Sequence, residues 1–438
     1  MSSLCPNKDR CGSCAWSHIP YEKQLKQKLS DINGSFKLKK LGERVFEILP
    51  SPQTEHYRNR MDFVIDFEGR VGMREKGKWW KVIDNHVCFL GMERIEELFM
   101  MVRDWTKTAG LSFYDRKAGT GLLRYAVIRA TTTDEAMVII VTSKPELGER
   151  ETLRKTLDLL TTSMTSTTSL IHSVNETISD VSFGTQLETI SGSGFMEEVI
   201  ADCRFRMTPN AFFQTNPYAA PMLLNTVREF AGDLSGKTVL DLYCGSGFFG
   251  IGLARFHLTS TEPVTIEAPK GCLRLGTNSE SLRFGISRPN DRQPDRVILA
   301  GSHSVGRASA IAHSNHGGRA RIIGVELVPE AIQDARVNAE LNSVGVKFYE
   351  AKTEDFDWGQ YKADVVILDP PRMGLHDKAL ADILCIKPET IVYVSCNYKN
   401  FARELVLLCE IYHVEAMRAI DMFPHTPHVE LVTKLVRK

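Results

Sequence analysis

The chain has 438 residues, a length at which two or three domains are expected. Its 54 basic residues equal its 54 acidic residues, so the net charge identifies no partner. No apolar run approaches the roughly 18 residues of a membrane span, and the N-terminus lacks the apolar core of a signal peptide. We therefore expect a cytoplasmic protein with no membrane association, in which clustered cysteines serve metal binding or catalysis rather than disulfides.

Three cysteines lie close together at the start of the chain. Cys5, Cys11 and Cys14 have the spacing C-x5-C-x2-C. A fourth, Cys88, follows in the sequence DNHVCF. Three closely spaced thiols and a distant fourth suit tetrahedral zinc or a [4Fe–4S] cluster, since both accept four thiolates. The spacing leaves both open, with structural thiols as the third possibility.

The first half of the chain has the pattern of β-strands. Residues 45–90 alternate between apolar and polar side chains, with Gly69 and Gly77 near the turns, which predicts antiparallel strands. Residues 93–107 have apolar side chains at helical spacing, and a further β-rich section extends to about residue 208.

After Asn216, apolar strands alternate with helices. The predicted strands are TVLDLYC, RIIGVEL, DVVILD, TIVYVSC and VELVTKLV, and Pro329 opens a helix. This alternation predicts an α/β domain with a doubly wound, mainly parallel sheet, whose ligand crevice lies at the carboxyl ends of the strands. Residues 257–319 separate the first helix from the second strand and are rich in Ser, Thr, Gly and Pro, so we predict a flexible insertion there.

A glycine-rich loop follows the first of these strands. Gly245, Gly247 and Gly250 form G-x-G-x-x-G, where the backbone can approach a nucleotide-type cofactor. The next strand ends in Glu326, a carboxylate that can accept hydrogen bonds from a ribose, which suits NAD and S-adenosylmethionine equally. The DPPR sequence that begins at Asp369 resembles the substrate-side motif of class I S-adenosylmethionine methyltransferases, with prolines that hold the backbone at the crevice.

Cys396 ends another strand, just before a helix. A cysteine there is either a small buried hydrophobe or a thiolate nucleophile. A thiolate that adds to carbon 6 of uracil makes carbon 5 reactive toward a sulfonium methyl group, and a base must then remove the carbon 5 proton. Glu430 stands at a strand boundary of the same domain and is a candidate for that base.

Six motifs, in this order, resemble those of the RNA 5-methyluridine methyltransferases: FFQTNP (212–217), DLYCGSG (241–247), GVE (324–326), LDPPR (368–372), VSCN (394–397) and HVELV (428–432). The resemblance covers most of the chain outside the insertion. It implies that Cys396 is the nucleophile and Glu430 the base. It also implies a set of cofactor-pocket residues: Gln214, Tyr243, Glu326 and Asp369.

The same resemblance bears on the metal, on the nucleobase that is methylated and on the RNA that contains it. It favours a [4Fe–4S] cluster over zinc, because many ribosomal-RNA members of the family carry one. The DPPRMG loop lacks the second cysteine of the RNA 5-methylcytidine enzymes, which favours uracil. The chain begins directly at the cysteines, without the small β-barrel that often opens family members. We therefore expect a uridine of large-subunit ribosomal RNA as the substrate, with the T-loop uridine of transfer RNA as the alternative.

The predicted domain organisation has three parts. Residues 1–90 form an iron–sulfur-binding segment with a first β section, residues 91–208 a β-rich RNA-binding region, and residues 209–438 a Rossmann-like class I methyltransferase domain. Two other functions stay open: an iron–sulfur RNA-binding protein whose catalytic half the insertion impairs, and an NAD-linked oxidoreductase. We expect a monomer, and the candidates for RNA contact are Lys23 to Lys40, Arg58, Arg60 and Arg124.

Overall fold

The computed structural model describes residues 5–86, 88–259, 273–274 and 318–438, which form two large β-sheets flanked by helices. Of the predicted insertion, residues 260–272 and 275–317 lie outside the described residues, so its flexibility stays a prediction. None of the helices that the structure describes is both long enough and apolar enough to cross a membrane.

The elements follow one another along the chain with these bounds: α1 (Tyr21–Leu38), β1 (Glu47–Leu49), β2 (Arg60–Ile65), β3 (Val71–Glu75), β4 (Lys78–Asp84), α2 (Glu93–Thr108), β5 (Leu123–Ala130), β6 (Ala136–Thr142), α3 (Leu147–Thr161), β7 (Thr168–Val174), β8 (Gln186–Ser191), β9 (Met196–Ile200), β10 (Cys203–Met207), α4 (Ala220–Ala231), β11 (Thr238–Leu242), α5 (Phe248–Thr259), β12 (Leu273–Arg274), β13 (Arg321–Glu326), α6 (Pro329–Leu341), β14 (Val346–Glu350), β15 (Val365–Leu368), α7 (Asp377–Ile386), β16 (Thr390–Ser395), α8 (Tyr398–Leu408), β17 (Tyr412–Ile420) and β18 (Glu430–Arg437).

The first sheet, as far as the structure describes the chain, has seven strands in the order β4-β3-β2-β5-β6-β7-β8. Its strands come from both sides of residue 90, so the predicted boundary there falls inside one sheet. Helices α2 and α3 pack against one face, through apolar side chains such as Phe99 and Leu157. The other face shares a buried apolar cluster with α4, in which Val127 and Leu223 both lie, so the two sheets share part of their core.

Within the described residues, the second sheet has nine strands in the order β12-β1-β17-β18-β16-β15-β11-β13-β14. From β11 the chain moves outward to β13 and β14, then crosses back to β15 and β16, and all these pairs are parallel. The predicted doubly wound α/β sheet is therefore confirmed. Strands β14 and β17 were not predicted, because both carry many exposed or half-exposed side chains and lack a continuous apolar run.

Helix α1 packs against the second sheet. Leu25, Leu29, Ile32 and Phe36 recur at helical spacing on its buried face, and the Phe36 ring lies 6.3 Å from that of Phe401 in α8. The N-terminal helix therefore belongs to the C-terminal sheet in space, although some 200 residues separate it from β11 in sequence.

A buried ion pair completes this contact. Lys28 Nζ lies 2.6 Å from Asp421 Oδ1 and donates a second hydrogen bond to the Phe423 carbonyl at 3.1 Å. Both charged side chains are fully buried. Burial lowers the pKa of Lys28, and the neighbouring Asp421 offsets this only in part. The pair ties α1 to the loop between β17 and β18.

Breaking this pair from one side leaves the other charge buried and uncompensated. We expect Lys28→Ala to lower the free energy of unfolding by about 3–5 kcal/mol, measured by urea denaturation. Lys155→Ala, which removes a solvent-exposed pair with Glu151, is the matched control and should leave the urea midpoint unchanged. Equal midpoints for the two variants would contradict the importance of the buried pair.

Candidate active site

A cavity of about 1220 Å³ opens at the carboxyl edge of the second sheet. It lies where the strand order reverses between β11 and β15, the position at which doubly wound sheets bind ligands. The residues that sequence analysis assigned to catalysis and cofactor binding all line it: Gln214, Tyr243, Glu326, Asp369, Cys396 and Glu430. We refer to it as the catalytic cavity.

The glycine loop forms one wall of the catalytic cavity. Tyr243 and Gly245 both adopt positive φ, 65° and 53°, so the chain turns sharply as it leaves β11. Gly247 has φ of 85°, and a Cβ there would lie 2.7 Å from Ile251 Cδ1, closer than real side chains pack. The sequence at this turn therefore needs glycine for its backbone conformation and for packing against α5.

Glu326 is held rigidly at the end of β13. Its carboxylate accepts backbone N–H groups from Gly245 at 3.1 Å, Leu327 at 2.8 Å and Val328 at 2.9 Å. A carboxylate offers about four acceptor positions. One position is therefore left for a donor in the cavity, such as a ribose hydroxyl.

Strand pairing brings the proposed nucleophile and base together. Strand β18 runs antiparallel to β16, and Leu431 lies opposite Ser395. One residue further on, the same register places Glu430 opposite Cys396. Strand β15 runs parallel to β16, and Asp369 leaves it at the same edge. Strands β15 and β16 run in one direction and β18 runs in the opposite direction. The first residue of β18 therefore lies at the same sheet edge as the residues that follow β15 and β16.

Burial dominates the electrostatics of these groups. Burial raises the pKa of Glu430 to about 7, and the positive charge of Arg372 opposes this only in part. Burial and the neighbouring Glu430 raise the pKa of Asp369 well above the usual range of a carboxyl group. Burial, then Glu430 and Asp369, raise the pKa of Cys396 to about 11. The half-buried thiol is therefore protonated in the free protein, and a nucleophilic role would require it to lose that proton.

The Asp369 loop is fixed from behind by α8. The side-chain amides of Asn397 and Asn400 donate to the Arg372 carbonyl at 2.9 and 2.7 Å. Gly374 has φ of 87°, and a Cβ at this position would collide with the Glu404 carboxylate. These contacts hold Arg372 at the cavity wall. Its positive charge partly offsets the rise in the pKa of Cys396 and of Glu430.

The loop before β18 is held by the N-terminal part of the chain. The backbone N–H of His425 donates to Gln24 Oε1 at 2.8 Å, and its carbonyl accepts the Trp16 N–H at 3.0 Å. The Tyr57 hydroxyl donates to the Pro424 carbonyl at 3.0 Å. Residues before β2 therefore position the loop that leads into the proposed base.

The basic residues that sequence analysis offered for RNA contact divide into two groups. Arg58 and Arg60 line the catalytic cavity from the first sheet. Arg124 is only 2% exposed, and its guanidinium donates to three backbone carbonyls within residues 175–179. Arg124 therefore holds this loop, and its contact with RNA stays a prediction. Lys28 is not available to RNA, because it is buried in its ion pair.

The four N-terminal-region cysteines are all buried: Cys5, Cys11, Cys14 and Cys88. Burial, followed by the neighbouring Cys5, raises the pKa of Cys14 to about 12. Cys5 Sγ lies 3.4 Å from His86 Nε2. Among the residues that the structure describes, no three His, Cys, Asp or Glu side chains are arranged to hold a metal ion. Gly12 and Ser13, between these cysteines, line the catalytic cavity.

Sequence reasoning missed several residues of the cavity. Phe212 is 67% exposed, while Thr353 is buried, and both line it together with His428. Phe212 and His428 stand inside motifs that carried the family resemblance, so the motifs contained a signal for them. Thr353 follows β14, a strand that the sequence pattern did not reveal.

Comparison with known proteins identifies the family. A family model described as tRNA (Uracil-5-)-methyltransferase matches residues 321–438. The tRNA (uracil(54)-C(5))-methyltransferase of Pyrococcus horikoshii is 34% identical over 100% of this chain and 86% of its own length. The chain belongs to the RNA uracil-C5 methyltransferase family. An uncharacterized RNA methyltransferase of Caldanaerobacter subterraneus is 33% identical over 99% of this chain and 84% of its own length.

A solved structure supports the same assignment. The Pyrococcus abyssi tRNA (uracil-54, C5)-methyltransferase, in complex with S-adenosyl-L-homocysteine, has a TM-score of 0.70 and 30% sequence identity, over 97% of this chain and 86% of its own. The protein is an S-adenosylmethionine-dependent RNA uracil-C5 methyltransferase, and the NAD-linked oxidoreductase hypothesis is wrong. The positive-φ glycine loop and the remaining acceptor position on Glu326 fit this cofactor.

The raised pKa of Cys396 in this uracil-C5 methyltransferase has a measurable consequence. Alkylation by iodoacetamide, followed on the Cys396 peptide by mass spectrometry, should accelerate about tenfold per pH unit from pH 8 to 10, because thiolate is still scarce there. Glu430→Gln removes a negative neighbour and lowers the pKa, so alkylation at pH 8.5 should be roughly 3- to 10-fold faster.

Glu415→Gln is the matched control, since Glu415 pairs with Lys434 on β17 and β18, and the Cys396 rate should not change. A wild-type rate that levels off below pH 9 would contradict the raised pKa.

Proposed function

We propose that this enzyme methylates carbon 5 of a uridine in transfer RNA. The observation that carries the proposal is that similar proteins from Pyrococcus, one of them with a solved structure, are named tRNA (uracil-54, C5)-methyltransferases. Sequence analysis placed large-subunit ribosomal RNA first and transfer RNA second. The relatives favour the reverse order, and we adopt it.

In the proposed reaction, Cys396 sulfur bonds to carbon 6 of the uracil while Asp369 takes the thiol proton, which it returns when the sulfur leaves. The electrons of the ring double bond move onto carbon 5 and the adjoining carbonyl as an enolate. S-adenosylmethionine, when bound, supplies the methyl group that carbon 5 acquires. Glu430 then removes the proton from carbon 5. The electrons of that C–H bond restore the ring double bond as the bond between carbon 6 and sulfur breaks. A carboxylate with a pKa near 7 suits this proton transfer.

We assign the cofactor to the glycine-loop side of the cavity. Glu326 has one acceptor position left for a ribose hydroxyl, and Tyr243 stands at the turn out of β11. Gln214 is held in place through its backbone carbonyl, which accepts the Asn59 side-chain amide at 2.9 Å. Asp369, which also lines the cavity, completes the proposed cofactor set.

We also propose a [4Fe–4S] cluster on Cys5, Cys11, Cys14 and Cys88. Cys5, Cys14 and Cys88 share one buried cluster, and Cys11 and Cys5 both raise the pKa of the Cys88 thiol after burial. Four cysteine thiolates are the ligand set that such a cluster takes. The monomeric state and the cytoplasmic location stay predictions.

The cluster proposal predicts the metal content of the protein. Anaerobically purified enzyme should be brown and contain about four irons and four sulfides per chain. Cys88→Ser should lose most of the iron, whereas Cys385→Ser, at an exposed cysteine on α7, should retain it. Zinc at one equivalent without sulfide would overturn the cluster.

The proposed reaction predicts tritium release from carbon-5-labelled uridine. A transfer RNA transcript should release tritium in the presence of S-adenosylmethionine, and a ribosomal RNA fragment should not. Cys396→Ala should reduce the rate at least about 1000-fold, because no other group can form the covalent bond. Glu430→Gln should accumulate a covalent enzyme–RNA adduct, visible as a shifted band on a denaturing gel.

Cys385→Ala is the control and should keep the wild-type rate. Release from ribosomal RNA alone would restore the first substrate hypothesis, and rapid turnover by the Cys396 variant would end the covalent mechanism.

A further inference from the structure

A second cavity, of about 470 Å³, opens in the first sheet away from the proposed chemistry. Its volume lies within the roughly 300–1,000 Å³ of pockets that bind small molecules or parts of larger ones. We call it the aromatic pocket, after a lining that includes Phe67, Trp79, Trp80, Tyr114, Arg116 and Lys117.

A bulge in β4 places Trp79 and Trp80 at the aromatic pocket. Arg74 of β3 pairs with Val82 of β4, whereas the next residue, Glu75, pairs with Lys78. Residues 79–81 therefore have no partner in the pairing, and bulges of this kind redirect side chains.

Both indoles are exposed to an unusual degree for their size. Trp79 is 50% and Trp80 is 48% exposed, and their rings lie 5.7 Å apart at 83° to each other. Phe67 nearby is also exposed. Exposed aromatic side chains grouped around a cavity mark a binding site more often than chance surface exposure.

Cations stand beside these rings. The Arg116 guanidinium lies 5.0 Å from the centre of the Trp79 ring and pairs with Asp180 at 2.6 Å. Lys117 is exposed at the pocket. The acidic groups of the lining are already engaged: Asp180 by Arg74 and Arg116, Asp66 by Arg70, and Asp115 by backbone N–H groups.

Strand β2 contributes residues to both the aromatic pocket and the catalytic cavity. Strand β2 begins at Arg60, which lines the catalytic cavity, and Ile65 at its other end lines the aromatic pocket. Five residues of extended strand span about 16 Å. The Cys11 backbone also bridges to Glu75, at the tip of the β3–β4 hairpin that carries the two tryptophans.

We propose that the aromatic pocket binds an unpaired nucleotide of the RNA substrate a few nucleotides from the methylated uridine. Its base stacks on the exposed indoles, and Arg116 and Lys117 face its phosphate. Unpaired RNA bases are commonly held by aromatic side chains, with basic residues along the backbone. The inference requires an RNA substrate but not the choice of transfer RNA over ribosomal RNA.

The test uses a fluorescently labelled adenosine tetranucleotide, which contains no uracil and so reports binding without methyl transfer. The full-length enzyme should bind it, and the double variant Trp79→Ala/Trp80→Ala should bind it about 10- to 100-fold more weakly, since stacking contributes about 1–3 kcal/mol per base. Phe46→Ala removes an exposed aromatic side chain outside both cavities and should bind as wild type does.

Two further variants separate stacking from a change in shape. Trp79→Phe/Trp80→Phe keeps two rings and should bind within about threefold of wild type. Lys117→Ala should remove about one phosphate contact. The slope of the logarithm of the binding constant against the logarithm of the salt concentration should therefore become shallower by about one.

Unchanged tetranucleotide binding by the double alanine variant, or equal losses in the alanine and phenylalanine pairs, would overturn the pocket. That result is independent of the methylation assays: tryptophan-dependent binding with no tritium release would overturn the substrate proposal instead and leave the pocket standing.

Discussion

The burial of one thiol and two carboxyl groups at the same sheet edge is the constraint on which the site depends. Burial disfavours the charged forms of Cys396, Glu430 and Asp369, and each carboxylate further opposes ionisation of the thiol. Arg372 is the positive charge that partly offsets this. The result is a carboxyl group, that of Glu430, with a pKa of about 7 and a thiol that is protonated in the free protein. A thiol that is kept neutral in this way is spared from alkylation and oxidation.

This edge exists because one strand is reversed. Parallel strands bring their carboxyl ends together, but only an antiparallel neighbour can add its first residue to the same edge. The loop that returns the chain to β18 needs outside support, which Gln24, Lys28 and Trp16 supply. The first residues of the chain therefore belong to the catalytic half in space. The cysteine segment closes the cavity wall at Gly12 and Ser13, which gives a proposed cluster a direct structural route to the active site.

The first sheet contributes side chains to both cavities. Its strand β2 carries arginine to the catalytic cavity at one end and lines the aromatic pocket at the other. An enzyme that acts on an unstacked base must hold the neighbouring nucleotides while that base is out of the stack. Two exposed indoles beside an arginine are suited to that task, because stacking tolerates any base.

The sequence by itself determined the doubly wound sheet, the glycine turn and the pairing of a cysteine with a distant glutamate, because these rest on local periodicity, backbone conformation and motifs in a fixed order. It could not determine that Arg124 holds a loop, that Lys28 is buried in an ion pair, or that strands from both sides of residue 90 form one sheet. The pKa of Cys396 and the bulge that presents the tryptophans were equally hidden. Those properties depend on which residues distant in sequence surround a side chain and exclude water from it, and only the tertiary structure decides that.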